Sequence, residues 1–535
     1  MAKSSLQIFL TTPFRGFSML RFIPKFSIVS FIHLCLVFIL SSCAIFRPTP
    51  DTLSLTILHT NDHHGRFWPN REGEFGLPAR STLITQIRQE LAQKNAAVLL
   101  LDAGDVNTGS PYSDQLQAEP DFKGMSALEY DALALGNHEF DIPLETLKKQ
   151  QSWAKFPFLS ANTYYKGQRL YPPYLSKNIQ GIRVAILGLT TLDTPQKSKL
   201  GRQKDLVFTD PIEEAKKIVP ELKKSHDVII ALTHMGHFEN EMHLYDSPGD
   251  VTLARQVPGI HLIVGGHTHK ALFKPDRQNG TWIVQANEWG KYVGRVDLEV
   301  SPAKEVKLIS AQLLPINLKS QATQTLAQDK KISDLLRPYY ESGKKLLDIH
   351  VADVEGDFRG NREINRSQQT ALGQLIGASY KKTAQSDIAV INAGGIRDGF
   401  SQRSVTYADV LSILPFANEL IKVTMTGNEL TDYLTHLVKF PPGLGAYAHF
   451  HGVSFQVNKE RNRLSKIKVG NLLLQPLKKY TLSLPYFCAT GGDGWPDLKT
   501  RYPFTFTGII DAEALKTYLL SEKSLSDKNF PLPYK

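Results

Sequence analysis

Histidine, aspartate and asparagine recur in short clusters, each directly after an apolar run. Asp62 and His64 follow residues 53–58, Asp105 follows 96–101, and Asn137, His138 and Asp141 follow 133–135. His234 follows 228–232, and His267 with His269 follows 261–264. Imidazole and carboxylate together suit zinc, manganese, iron or cobalt, whereas an all-oxygen magnesium site would not need so many histidines. Asp62/His64 and His267/His269 are i, i+2 pairs, which on an extended backbone point to the same side, so that one segment supplies two ligands. The set is too large for one tetrahedral ion and fits two ions that share a carboxylate, with Asp105, central in the set, as the natural bridge. Asp141 stands three places after His138. If a helical turn begins there, its carboxylate faces the imidazole and fixes the tautomer. His63 and His237 lie beside the pattern and read as supporting or plain loop residues.

Such side chains need elements that bring them to one place. A strand buried on both faces keeps its polar residues for its ends, and ligands in α/β sheets sit beyond the carboxyl ends of the strands. Five apolar runs here finish in a polar cluster. Helices are predicted over 83–91 and 212–222, with a short one after the Gly136–Asp141 hexapeptide, and a further strand over 183–189. From 328 to 347, Ile332, Leu335, Leu336, Tyr339, Leu346 and Leu347 fall near helical spacing, and Pro338 and Gly343 are predicted to kink or interrupt that helix. It reads as a helical connector over 326–347, able to act as a hinge. Beyond it, strands over 387–391, 421–426 and 480–484 and a helix over 427–438 describe a second α/β domain, 348–535.

With 535 residues the chain is too long for one core. Its 42% hydrophobic and 21% charged content is ordinary for a globular protein. Residues 27–40 are nearly all apolar, and Arg15, Arg21 and Lys25 precede them with no acidic residue, as in a secretory signal too short for a comfortable membrane span. The run closes on Leu40-Ser41-Ser42-Cys43, which looks like a bacterial lipobox: cleavage before Cys43, lipid on its thiol, and 43–52 as a tether containing Arg47-Pro48-Thr49-Pro50. A start at Met19 would give a signal of more usual length. Loss of 1–42 lowers the formal charge from +10 to +6 and leaves Cys43 and Cys488 of 3 cysteines, so no intramolecular disulfide framework is available. The expected location is extracytoplasmic and lipid-anchored, with Ala44 a hint toward the outer membrane. The modest positive charge suits an anionic substrate or lipid head groups, and no basic tract argues for a nucleic-acid polymer.

The ordered set Asp62-x-His64, Gly104-Asp105, Gly136-Asn137-His138-Glu139, Thr233-His234-Met235-Gly236-His237 and Gly266-His267-Thr268-His269 resembles the calcineurin-like metallophosphoesterases. From residue 53 onward the chain is similar to the bacterial periplasmic 5′-nucleotidase/UDP-sugar hydrolase family and its animal ecto-5′-nucleotidase relatives. The resemblance implies a four-layer αββα sandwich over 53–325, followed by a smaller α/β substrate-binding domain. It implies that Asp62, His64, Asp105 and His269 bind one divalent metal and that Asp105, Asn137, His234 and His267 bind a second. Members nearest the bacterial type often carry Gln where this chain has His269. His138 would stabilise or protonate the leaving alkoxide, oriented by Asp141. Phe416 and Phe487 would lie on either face of a nucleobase, Arg366 and Arg397 on phosphate, Asn392 on substrate and Asp493 on the ribose hydroxyls. The expected reaction converts nucleoside 5′-phosphates to nucleoside and phosphate. UDP-sugar hydrolysis and cyclic-nucleotide hydrolysis are the alternatives on the same metals, and a non-catalytic nucleotide-binding surface lipoprotein is a third. Thiosulfate-ester hydrolysis suits the metals too, but the paired phenylalanines argue against it.

Overall fold

Runs of apolar residues set the strands. The computed structural model describes residues 52–532 except 71, 199–202, 239–247, 322–324, 401–403, 459–462 and 523. The signal over 1–42 and the lipid-bearing Cys43 lie outside the described residues. Strands β1 (Leu53–Thr60), β2 (Ala97–Asp102) and β3 (Ala132–Ala134) run parallel in one sheet, and β4 (Val228–His234) and β5 (Leu262–Gly265) run parallel in another. Leu55, Ile57, Leu99 and Leu101 share one buried cluster with Val228, Ile230, Leu232 and Val264, which is the core between the sheets. The intervening Leu58, Leu100 and Leu133 turn the other way, onto Ile84, Ile87 and Leu91 of helix α1 (Leu77–Gln93). Ile229 and Ala231 likewise meet Ile212, Val219 and Leu222 of α2 (Pro211–Ser225). Both faces of each sheet are buried, which is why the strands read as unbroken apolar runs. The outcome is the four-layer αββα sandwich.

Each sheet has six strands. The first runs Val306–Pro315, Tyr292–Val300, β1, β2, β3, Phe158–Leu159, and the second Asp276–Gln278, Thr281–Gln285, β5, β4, Ile182–Thr190, Tyr174–Ile179. Parallel registers of Thr60 with Asp102 and of Leu232 with Val264 gather the carboxyl ends at one edge.

Helix α3 (Lys330–Leu347) is continuous, against the expected interruption. The Asp329 carboxylate caps it, accepting from the Lys331 and Ile332 N–H at 2.8 and 3.2 Å. Ile332 and Leu336 are buried in the same cluster as Leu58, Leu100 and the residues of α1, and that packing outweighs the hydrogen bond lost at Pro338. Gly343 serves close approach: a Cβ there would come 2.9 Å from the Tyr112 ring.

Beyond α3, a five-stranded sheet runs Ala448–His451, β6 (Ile388–Asn392), Lys479–Pro485, Glu419–Thr426, Thr505–Ile510. Ala389 and Ile391 face Leu372, Leu375 and Ile376 of α4 (Ala371–Ala384), and Ile388 and Val390 face Leu430 and Leu434 of α5 (Gly427–Leu437). Among the described residues no helix is long and apolar enough to cross a membrane.

Candidate active site

The polar clusters begin where the strands end, but not in extended conformation. Asp62 (φ 51°), His64 (51°), Asp105 (59°), His267 (76°) and His269 (57°) all lie in the left-handed region. This corrects the reason given for the i, i+2 pairs. Successive strained turns, not a pleat, aim the two side chains of each pair inward. Such backbone costs about 1–3 kcal/mol per residue and persists only where its surroundings hold it. Here the Asp62 N–H donates to Gly104 O at 2.8 Å and the His64 N–H to Asp105 O at 2.9 Å. The buried Glu139 carboxylate accepts from the N–H groups of Gly136, Asp105 and Val106 at 2.7, 2.9 and 2.8 Å. Gly136 has no room for a side chain, since a Cβ would stand 2.1 Å from Asp105 Oδ1.

Three imidazoles are oriented in one way. His64 Nδ1 faces Thr108 O at 2.8 Å, His234 Nδ1 faces Ala103 O at 2.7 Å, and His269 Nδ1 is bound by the Glu288 carboxylate. An acceptor at Nδ1 keeps the proton there and leaves Nε2 a bare lone pair. His64 Nε2 and His269 Nε2 lie 3.2 Å apart, and His269 Nε2 is 3.0 Å from Asp62 Oδ1. His234 Nε2 is 3.0 Å from Asp105 Oδ2 and 3.9 Å from Asp62 Oδ1, buried and off the line a hydrogen bond requires. Asp62, His64 and His269 form one group and Asp62, Asp105 and His234 another, the ligand atoms of each within 4.8 Å of one another. Asp62 belongs to both. Asp105 Oδ2 also faces both, 3.0 Å from His234 and 4.0 Å from His64, while Oδ1 accepts the His138 N–H at 2.8 Å. Asn137 Oδ1 and His267 Nδ1 lie 2.8 Å apart beside the second group, with His267 Nε2 turned toward Asp193 at 3.8 Å.

These residues fit divalent cations. Two bare nitrogens 3.2 Å apart repel unless positive charge lies between them, and the mixed nitrogen and carboxylate set suits borderline ions. Burial opposes charge on His234, yet Asp105 and Asp62 outweigh it and push the imidazole up to about 10. A surround that favours a proton so strongly favours a cation in its place.

His138 opens a 3₁₀ turn, His138–Phe140, which brings Asp141 Oδ2 to 2.6 Å from Nδ1 as its spacing predicts. Burial lowers its affinity for a proton, but Asp141 and then Asp105 outweigh that and raise it. His138 lines a cavity of about 330 Å³. Arg366, Asn392, Arg397, Phe416, Phe487 and Asp493 all line that cavity with Asp105, Asn137, His267 and His269, while Asp62, His64 and His234 are buried beneath. Asn392 Nδ2 donates to Asp493 Oδ2 at 2.6 Å, and Lys197 Nζ donates to Asp493 Oδ1 at 3.2 Å. Phe416 stacks on His138, centroids 5.5 Å apart at 18°, with the Arg397 guanidinium 5.5 Å from its ring centroid. Burial and then the nearby Arg362 lower the proton affinity of both Arg366 and Arg397, which marks crowded cations that an anion would relieve.

Four residues escaped the sequence reading of the site. Glu139 stood inside a quoted motif and is fully buried. Arg362 lies four places before Arg366, a helical spacing that places both on one face. Lys197 and Glu288 carry no motif. His63 pairs with Asp121 at 2.9 Å and Arg80 at 3.1 Å, and His237 with Asp276 at 3.0 Å, in supporting positions.

Residues 55–271 match the calcineurin-like phosphoesterase family model, and 349–500 match the 5′-nucleotidase C-terminal domain. A 5′-nucleotidase of Vibrio parahaemolyticus is 45% identical over 89% of this chain and 90% of its own. The chain belongs to the 5′-nucleotidase family. The protein UshA of Escherichia coli K12 is 42% identical over 91% of this chain and 94% of its own. The crystal structure of a 5′-nucleotidase precursor from Thermus thermophilus superposes with TM-score 0.77 at 29% identity, covering 88% of this chain and 97% of that one. As a family member with the calcineurin-like fold, the protein is a hydrolase acting on phosphoric esters, and that fold implies divalent metal ions.

Proposed function

We propose that the protein removes phosphate from nucleoside 5′-phosphates with two divalent cations, drawn from zinc, manganese, cobalt and iron. Asp62, His64, Asp105 and His269 would hold one, and Asp105, Asn137, His234 and His267 the other. The observation that carries this reading is the pair of overlapping donor groups beneath a cavity whose opposite wall bears arginines and phenylalanines. Cations bound there supply Lewis acidity toward water and the phosphoryl oxygens. Arg366 and Arg397 neutralise the phosphate. His138 delivers its Nε2 proton to the departing 5′-oxygen while Asp141 holds Nδ1–H, so the ring keeps its orientation through the transfer. Phe416 and Phe487 flank the base, and Asp493, steadied by Asn392 and Lys197, receives the ribose hydroxyls. In this reading 53–325 is the catalytic domain and 348–535 the substrate-binding domain, with 326–347 between them. Nucleotide substrates also agree with the names of the Vibrio and Thermus relatives.

A substrate panel on metal-defined protein tests this. Nucleoside 5′-monophosphates are expected to yield nucleoside and phosphate in equal amounts, to stop on exhaustive chelation and to resume with manganese, cobalt or zinc. Turnover that survives chelation overturns the metal assignment. Preference for UDP-sugars or cyclic nucleotides overturns the substrate assignment. We also propose an extracytoplasmic protein held to the membrane by lipid on Cys43. Labelling with radioactive palmitate should mark the wild type and spare Cys43→Ser, and an unlabelled wild type removes the anchor.

A further inference from the structure

We propose that Glu288 is a positioning residue that selectively strengthens the cation site formed by Asp62, His64 and His269. The three imidazoles that present Nε2 differ in what holds Nδ1. Backbone carbonyls hold His64 and His234, but a buried carboxylate holds His269. A carboxylate on the far nitrogen makes an imidazole a stronger donor than a neutral carbonyl does, besides fixing its plane.

Glu288 is itself fixed, and its neighbours are tied to Asp62 and His269, two ligands of this site. Its other oxygen accepts from Lys291 Nζ at 2.8 Å. On one side the Asn287 Nδ2 donates to His269 O at 3.0 Å, and on the other the Trp289 N–H donates to Asp62 O at 2.7 Å. Asn61, next to Asp62, closes the loop: its Oδ1 accepts the Ala286 N–H at 2.8 Å and its Nδ2 donates to Asn287 O at 2.5 Å. Residues 286–289 are thus bolted to both left-handed ligand segments, 61–64 and 267–269, with the carboxylate at the point where it meets the ring. His234, by contrast, rests on a carbonyl of the Gly104 loop. Loss of Glu288 would leave the second site its own imidazole support and deprive the first of its strongest.

The inference rests on the two-cation reading, and the experiment separates the two. Zinc-loaded full-length wild type, Glu288→Ala and Glu288→Gln are dialysed against graded chelator, and retained zinc is measured by mass spectrometry. Wild type should hold two ions per chain. Glu288→Ala should release one of them at roughly 10–100-fold lower chelator and keep the other as wild type does. Glu288→Gln, which keeps a neutral acceptor, should fall between and carries the test if the alanine variant does not fold. In a His269→Ala background Glu288→Ala should add nothing. Fewer than two ions on the wild type overturns the two-cation reading and this inference with it. Two ions held equally well by both Glu288 variants, equal weakening of both sites, or a full further loss in the His269→Ala background overturns the inference alone.

Discussion

Asp62, Asp105 and His234 are buried to within 2% of full enclosure and oriented largely by main-chain groups, whereas Arg366, Arg397, Phe416 and Phe487 on the facing wall are only half-buried. The first wall depends on left-handed residues, a glycine with no room for a methyl group, and a buried carboxylate collecting N–H groups. Its geometry cannot adapt without unfolding the strand ends. The second wall presents long or flat side chains, with Arg397 over the Phe416 ring and Phe416 on His138. One wall is therefore suited to chemistry, which requires atoms held to fractions of an ångström, and the other to recognition, which tolerates adjustment. Substitutions should sort accordingly. Changes on the first wall should lower turnover on every phosphate ester, and changes on the second at residues that meet only the base or ribose, Phe487 above all, should weaken nucleotides alone.

The largest expected effect tests the first half of that statement. His138→Ala removes the proton donor and should lower kcat by roughly 10²–10⁴-fold on both a nucleoside monophosphate and an aryl phosphate, with KM little changed. The loss should be smaller on the aryl ester, whose leaving group needs its proton less. A rise in KM with normal kcat would move His138 to the recognition wall and dissolve the contrast.

The phenylalanines come next and make the contrast finer. Stacking on a base is worth roughly 1–3 kcal/mol, so Phe487→Ala should raise the nucleotide KM by about 5–150-fold and leave the aryl phosphate unchanged. Phe416 differs because its ring lies against His138 at 18°. Phe416→Ala should weaken nucleotides to a similar degree and also lower kcat on the aryl phosphate. Identical profiles for the two variants would mean that the stack on His138 has no part in holding the acid.

The same division decides what was legible before the structure. The strands of the first wall are buried on both faces, so composition alone located them, and their ligands stand in short motifs beside them. The conformation of those motifs was not legible. Asp62/His64 and His267/His269 were read as extended pairs because alternation is the only rule that spacing offers, but tertiary hydrogen bonds hold left-handed turns instead, from the Gly104 loop on the first pair and from Asp62 and Asn287 on the second. Pro338 misled for a related reason: a local rule for breaking helices gave way to burial of Ile332 and Leu336. Glu288 reaches His269 across 19 residues in a segment with no pattern of its own, so only the fold reveals it. Arg362 could have been found from its spacing to Arg366.

Lys197 is the residue that crosses the division. It belongs by sequence to the part that carries the metal ligands, yet its ammonium meets Asp493, which also takes the Asn392 amide. Removal of a partly buried partner of this kind costs about 0.5–1.5 kcal/mol, because Asp493 retains a second donor. Lys197→Met should therefore raise the nucleotide KM by roughly two- to tenfold, the smallest effect in the series. If Lys197 acts by steadying the ribose carboxylate, the aryl phosphate will not register the change, and a 2′,3′-dideoxynucleotide, which has no hydroxyls for Asp493, will lose less than the ribonucleotide. Equal losses on all three substrates would instead assign the lysine to the phosphate, and the recognition wall would have to be redrawn to include part of the catalytic one.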